Sequence, residues 1–125
     1  DSGGAGRWRG GLGEELAMRA FDDGRLDPDK PIVLSGSAGR MRFAPEGLFG
    51  GRPGSPGRIL VNDGAIAPTS SPEVVFRAGD VVRLLLPGGG GYGDPRRRAR
   101  ALIEADLRNG YITPEAARRD YGEEI

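Results

Sequence analysis

Pro87-Gly88-Gly89-Gly90-Gly91-Tyr92-Gly93-Asp94-Pro95 is the stretch on which the fold of this chain turns. Five glycines surround one tyrosine, and Asp-Pro closes the run. The apolar segment 81–86 leads straight into it, and a segment with helical periodicity follows. A backbone that needs this freedom between two rigid elements passes close to something: a ligand, a partner or another piece of backbone. Gly88, Gly90 and Gly93 satisfy G-x-G-x-x-G between a strand and a helix, the setting of a dinucleotide fingerprint. Two features argue against that reading. The third glycine of such a fingerprint lies inside the helix and packs on the strand, whereas here Asp94-Pro95 predicts a helix that starts only after Gly93. No later parallel strand carries an acidic ribose ligand. A P-loop is excluded because no Gly-Lys-Ser/Thr follows. Anion binding at the helix start is opposed by the charge of Asp94. Two roles stay open for the run, a tight buried approach of two segments and a loop that lines a ligand.

Upstream of the run the chain reads as strands and glycine turns. Residues 7–9 and 12–21 are predicted extended, with Gly10-Gly11 as a bend or bulge. Residues 14–21 would also suit a short helix by propensity, but flanking glycine turns favour strand. Asp22-Asp23-Gly24 is a turn signal. Residues 31–35 and 58–61 are short apolar strands, the second ended by Asn62-Asp63-Gly64. Residues 73–77 and 81–86, joined by Ala78-Gly79-Asp80, predict a hairpin or a tight strand-turn-strand. Val82, Leu84 and Leu86 share one face, and Arg83 wets the other. Residues 44–57 form a long Pro/Gly loop in which Leu48 and Phe49 are read as apolar anchors.

Downstream the pattern changes. Asp94 is a good N-cap and Pro95 suits the first helical position. Ala99, Leu102, Ile103 and Leu107 make an apolar stripe. Arg100, Glu104 and Arg108 pair at i,i+4, and Gly110 is the stop. Thr113-Pro114 caps a second short helix with Ala117 and Tyr121 on one side and Gly122 at its end. The fold class is therefore α+β. A β-rich body over residues 1–93, a small sheet or barrel-like, carries a two-helix tail over 94–125, together one domain or part of a larger one.

Composition narrows the chemistry. Lys+Arg and Asp+Glu are both 18, so no net charge steers the chain toward nucleic acid or an acidic membrane. Lys30 is the only lysine, which with the Gly, Ala and Pro content points to codon bias as much as to chemistry. Cysteine and histidine are both absent. That removes thiolate nucleophiles, Cys-ligated metals, the commonest metal ligand and the commonest general base. No segment approaches the roughly 20 apolar residues of a membrane span, and no secretory signal is visible, so a cytoplasmic setting is expected. The chain opens on Asp1-Ser2-Gly3-Gly4 without an initiator Met, and it reads as a piece that begins in mid-motif. With 23 glycines and few aromatics, part of its apolar surface is expected to lie under further protein.

Three other clusters are candidates for function. Asp1-Ser2-Gly3-Gly4 resembles the nucleophile segment of trypsin-like proteases, but the chain holds no histidine to activate the serine. The alternative is a glycine turn in which Asp or Ser caps backbone. Arg96, Arg97, Arg98 and Arg100 beside two helices suggest DNA binding, yet acids equal bases over residues 94–125, and a solvated or salt-bridged face fits better. Arg40-Met41-Arg42-Phe43 would place two arginines on one strand face, able to hold a carboxylate or phosphate or to pair with surface acids.

Five segments, in order, carry a family resemblance. They are Asp1 to Gly13, Gly47-Leu-Phe-Gly-Gly-Arg-Pro-Gly54, Ala78-Gly-Asp-Val-Val82, Pro87 to Pro95, and Asn109-Gly-Tyr-Ile-Thr-Pro-Glu-Ala-Ala117 with Asp120-Tyr-Gly122. Together they resemble the C-terminal portion of the hydantoinase B/5-oxoprolinase family. The resemblance implies a B-type subunit that works with a hydantoinase A-type ATP-binding subunit. It implies ATP-dependent opening of cyclic amides such as hydantoins or 5-oxoproline, or, in relatives, ATP-dependent carboxylation of ketones. The His- and Asp-bearing segments of a full B-type subunit lie upstream, so no catalytic residue and no metal ligand carries over. This chain is expected to bind no cofactor itself, ATP and a divalent metal belonging to the full complex. Its partners are expected to be the A-type subunit and the upstream part of the B-type subunit. The alternative is a non-catalytic docking module. The candidates for lining a substrate are Ser2, Gly3, Gly4, Arg42, Gly88, Gly90 and Gly93.

Overall fold

The structure, a computed structural model, describes residues 1–25, 27 and 29–122. It is α+β, with six short strands followed by two short helices. The strands are β1 Glu15–Arg19, β2 Ile32–Ser35, β3 Arg58–Val61, β4 Gly64–Ala65, β5 Glu73–Phe76 and β6 Val81–Leu85. They form a four-stranded sheet in the order β1-β6-β3-β4 and a two-stranded sheet, β2-β5, with every pairing antiparallel. Neither sheet closes, so the barrel-like form of the expected body is not adopted.

The registers explain the core. Met18, Val82 and Val61 are aligned across three strands, and Leu84 and Ile59 across two of them. On the small sheet Ile32 is paired with Phe76 and Leu34 with Val74. These inward faces meet as one apolar cluster around Met41, Ile59, Val74, Phe76 and the fully buried Val82. Alternation does the rest: Val33 and Val75, paired with each other, face outward. Arg83 on the outer face of β6 donates from Nε to Glu15 at 2.8 Å and from Nη1 to Asp63 at 3.0 Å.

The turns follow their residues. Asn62 and Asp63 both take positive φ (48° and 64°), the paired left-handed geometry of a two-residue hairpin, and join β3 to β4. Asn62 also donates to Asp80 at 2.9 Å and accepts from the Val81 amide at 3.0 Å, stitching this turn to the one after β5. Because β5 and β6 join different sheets, segment 73–86 is a strand-turn-strand, not a hairpin.

The C-terminal helices depart from the expected start. Asp94 does cap, accepting from the Arg96 amide at 3.0 Å, but what it caps is a single 3-10 turn, Pro95–Arg97. The backbone then extends at Arg98 and Ala99, and α1 begins only at Arg100, running to Arg108. The break lets Arg98 turn inward. Of the expected stripe, Ile103 is buried and Leu107 partly so, whereas Ala99 and Leu102 are exposed. Thr113 caps α2 by accepting from the Ala116 amide, and α2 (Pro114–Ala116) continues as a π-helical turn, Ala117–Tyr121, ended by Gly122 at φ 73°. Ala117 and Tyr121 are buried as expected, in a second apolar cluster with Ala5, Ile103, Ile112 and Ala116.

An ion network ties this second cluster to the N-terminal segment. The Asp106 carboxylate, 6% exposed, accepts from Arg9 Nε at 3.0 Å and from Arg98 Nη2 at 2.7 Å. Sequence reasoning misses Asp106, although it falls on the buried side of α1 between Ile103 and Leu107. The Asp1 carboxylate clasps the same tail, accepting from the Thr113 amide at 2.7 Å and from its hydroxyl at 2.8 Å. Asp1 and Ser2 thus cap backbone, as the glycine-turn reading required. The Tyr121 hydroxyl is buried beside Arg98 and near the Gly6 backbone, with no hydrogen bond of good geometry among the described residues.

Two outcomes follow from this network. Asp106→Asn leaves two inward guanidiniums without their counter-charge and should lower stability by about 3–5 kcal/mol in denaturant unfolding. Burial, the largest effect on Tyr121, pushes its phenol above the ordinary value. The fold therefore prefers the neutral form, a contribution that is whole below about pH 10 and lost as pH climbs through the raised value. Tyr121→Phe should match or exceed wild-type stability by up to about 1 kcal/mol at neutral pH, and should lose less stability than wild type above pH 10.

Candidate functional site

Between the two apolar clusters lies the region that holds most of the candidate residues. Three glycine-rich segments, 2–13, 45–57 and 87–93, run against one another and are bonded through their backbones. Gly4 donates to Gly89 at 2.8 Å and accepts from Gly10 at 2.9 Å. Gly89 donates to Gly11 and Gly91 to Arg52, both at 2.9 Å, and Arg52 donates to Ala5 at 2.7 Å. Gly88 donates to Ser55 at 3.1 Å, and Ser55 donates to Ser2 at 2.8 Å. Ser2 completes its own corner by accepting from the Gly13 amide through Oγ at 2.9 Å.

The chemistry of glycine is used here for proximity. A Cβ on Gly88 would collide with the Ser2 carbonyl, one on Gly90 with the Glu46 carbonyl, and one on Gly3 with the Gly10 carbonyl. Gly4 and Gly91 are equally closed, against Arg52 and Ala5. Gly93 differs, since its positive φ of 74° is what demands glycine. What the run 87–95 passes close to is thus the protein's own backbone, from two other segments. The amides of Gly4, Gly88, Gly91 and Gly93 are already donated to carbonyls of the chain.

Ser2, Gly3, Gly4, Gly88, Gly90 and Gly93 are therefore brought together in one frame. Arg42 is not part of it. Residues 40–43 form bends, not a strand, because Arg40 adopts a left-handed φ of 59° and Met41 is drawn into the sheet core. Arg42 is exposed, its Nε 3.4 Å from the Pro68 carbonyl. The two arginines share only a shallow, open groove with Thr69 and Ser70. An apolar cavity of ≈ 320 Å³ opens where the two sheets diverge, lined by Leu34, Met41, Ile59, Val74, Leu84 and Pro87.

The loop 44–57 is packed, but not by the expected anchors. Leu48 and Phe49 are 60% and 78% exposed. The loop is held instead by its backbone: Leu48 donates to Gly91 and accepts from Gly93, both at 2.9 Å, and Gly54 donates to Pro45 at 2.9 Å. That leaves its apolar side chains facing out. Tyr92, paired with Trp8 on one side and Leu48 on the other, faces out as well.

No group of three or more acidic residues stands together as a metal site among the described residues, and the chain has neither histidine nor cysteine. The described residues therefore offer no donor set that fits a divalent metal. The amides of Gly4, Gly88, Gly91 and Gly93 are donated to the chain's own carbonyls and no P-loop lysine follows the run, so neither is offered to a phosphate. No helix among the described residues is long and apolar enough to cross a membrane.

Comparison with known proteins gives this frame a context. Residues 1–95 match the family described as Hydantoinase B/oxoprolinase. The beta subunit of the caprolactamase of Pseudomonas jessenii is 35% identical over 98% of this chain and 21% of its own. The B-type subunit of a putative D-/L-hydantoinase from a Pseudomonas species is 30% identical over 94% of this chain and 19% of its own. The crystal structure of the ATP-dependent caprolactamase from Pseudomonas jessenii superimposes with a TM-score of 0.79 at 32% identity, covering 100% of this chain and 22% of that one. The chain thus spans about a fifth of the length of the curated relatives it matches.

The frame predicts a sharp contrast between glycines. Gly90→Ala should lower thermal stability strongly, by about 3 kcal/mol or more, because backbone on another segment must move. Gly36→Ala, with nothing within 4 Å of the added methyl, should change stability by no more than about 0.5 kcal/mol. Thermal unfolding followed by circular dichroism compares the two.

Proposed function

We propose that this chain, which belongs to the hydantoinase B/oxoprolinase family, is the C-terminal part of a B-type subunit in an ATP-dependent cyclic-amide hydrolase. The observation that carries the proposal is the family match over residues 1–95, joined to 32% identity with a caprolactamase across the whole fold. In such a reaction ATP is a co-substrate. Phosphorylating the amide oxygen makes the carbonyl carbon a better target for water and the ring nitrogen a better leaving group.

The chain itself contributes shape to that reaction. It holds no histidine, no thiol and, among the described residues, no acidic cluster able to hold a metal. The amides of Gly4, Gly88, Gly91 and Gly93 are committed to its own carbonyls, so at these positions it offers a stiff wall. In this reading the wall supports a site built by the upstream part of the B-type subunit and by an A-type ATP-binding subunit, in a cytoplasmic complex. Residues Ser2, Gly3, Gly4, Gly88, Gly90 and Gly93 define its central corner.

The test is reconstitution. The chain alone should show no ATP-coupled opening of caprolactam, hydantoin or 5-oxoproline. Joined to an upstream B-type body and an A-type subunit, it should restore release of ring-opened product with one phosphate per turnover. Bicarbonate-dependent product formation from a ketone, with no ring opening, would identify a carboxylase instead. Turnover by the isolated chain would overturn the assignment of the chemistry to the rest of the complex.

A further inference from the structure

The frame presents one surface that its own folding does not use. Trp8 and Tyr92 pair antiparallel, and Tyr92 and Leu48 pair in parallel, so the three side chains stand side by side on adjacent backbones. Phe49 leans on Tyr92 with ring centroids 5.2 Å apart. All four are half-exposed or more, Phe49 at 78%, and none belongs to either apolar cluster.

Backbone strain gives independent weight to this face. Phe49 takes a φ of 50° at the first central position of the turn Leu48–Gly51, followed by Gly50 at 90°. That position favours glycine or asparagine, and a bulky side chain there costs on the order of 1 kcal/mol or more. In this glycine-rich chain an aromatic ring is kept at a site where the backbone favours its absence, while the ring points into solvent. Its use therefore lies outside the fold shown.

We infer that Trp8, Leu48, Phe49 and Tyr92 form the docking face for the body of a hydantoinase B-type polypeptide, a protein surface with an apolar centre and a carboxylate rim. The identity of this occupant rests on the proposed function. Two observations select it. The relatives carry this unit as about a fifth of their length, which leaves four fifths of a chain to pack against it. The flanks of the face are basic. Exposed Arg7 lies over the Trp8 ring at 5.8 Å, and exposed Arg52 and Arg96 line the adjoining groove beside Gly50. Of the acids of that groove, Asp120 is paired with Arg119, and Asp94, which caps the Arg96 amide, keeps its charge against those of the three arginines. The glycine frame beneath holds the face rigid, so little order is lost on docking.

The test mixes this chain with the beta subunit of the Pseudomonas jessenii caprolactamase lacking its own matching fifth. Trp8 is the sole tryptophan, so a chain labelled with 5-fluorotryptophan gives one fluorine resonance from the face itself. Binding should shift that resonance with one-to-one stoichiometry and weaken as salt is raised. Phe49→Asn and Tyr92→Ser should each weaken binding at least tenfold. Phe49→Asn should leave the melting temperature of the chain unchanged or raise it, a result that needs no partner. Binding unaffected by either substitution overturns the inference, as does a lowered melting temperature for Phe49→Asn. A resonance that shifts with the concentration of the chain alone names a second copy as the occupant and overturns it too. Turnover in the same samples, with an A-type subunit added, separates the two ideas. Turnover that survives with docking indifferent to the substitutions removes only the docking face, whereas tight docking with no turnover removes only the proposed function.

Discussion

Backbone-to-backbone contact, made possible by the absence of side chains, is the constraint on which the rest of this structure depends. Segments 2–13, 45–57 and 87–93 approach so closely that carbonyls occupy the space a Cβ would take. Each contact is a hydrogen bond or a sub-side-chain approach between residues distant in sequence, as between Gly4 and Gly89 or Ala5 and Arg52. Individually such bonds contribute about 1 kcal/mol net. Their value here is geometric, because they leave the three segments only one mutual position. The sheets and the helices then attach to this frame, each with its own small apolar cluster.

The helical side depends on charge as much as on apolar burial. Asp106 sits between Arg9 and Arg98, with each cation also over an aromatic ring, Tyr111 and Tyr121 respectively. The pair of guanidiniums is fixed by one carboxylate, so the tail, the 3-10 turn and the N-terminal segment share a single electrostatic centre. Removal of Asp106 would leave two inward guanidiniums uncompensated in the low dielectric of their neighbours, whereas removal of either arginine leaves one matched pair. That coupling explains why the chain breaks its helix at Arg98 and Ala99, so that the Asp94 cap serves only the 3-10 turn Pro95–Arg97.

The strands were legible because the signals for them are local. Ile32-Val33-Leu34, Ile59-Leu60-Val61 and Val74-Val75-Phe76 are β-branched or aromatic runs bounded by turn residues, and each is a strand where it was expected. The turn at Asn62-Asp63 and the cap at Thr113 were legible for the same reason. The late start of α1 was not, because it is decided by Asp106, eight residues beyond Arg98. Segment 40–43 misled because alternation resembles a strand until one residue, Arg40, turns left-handed. Leu48 and Phe49 misled for another reason. Apolar residues in a loop usually pack inward, but this loop is already satisfied by its amides and carbonyls, which frees the side chains to face outward. Of the candidate residues, the glycines and Ser2 could be grouped from their motif, while Arg42 could not be separated from them without the fold.

The same interlocking sets a condition on how the molecule is made. The frame needs residues 2–13 and 87–93 together, and the β-segment between them returns only through β6, so most of its defining contacts span the better part of the chain. Closing loops of that length precedes any reward from the contacts they allow, which places this topology among slow, milliseconds-to-seconds folders. On the ribosome, segment 2–13 can meet segment 45–57 early, through Ser2 with Ser55 and Ala5 with Arg52, but it lacks its partners in 87–93 until those glycines emerge. The frame is thus complete only once synthesis has run to Gly93.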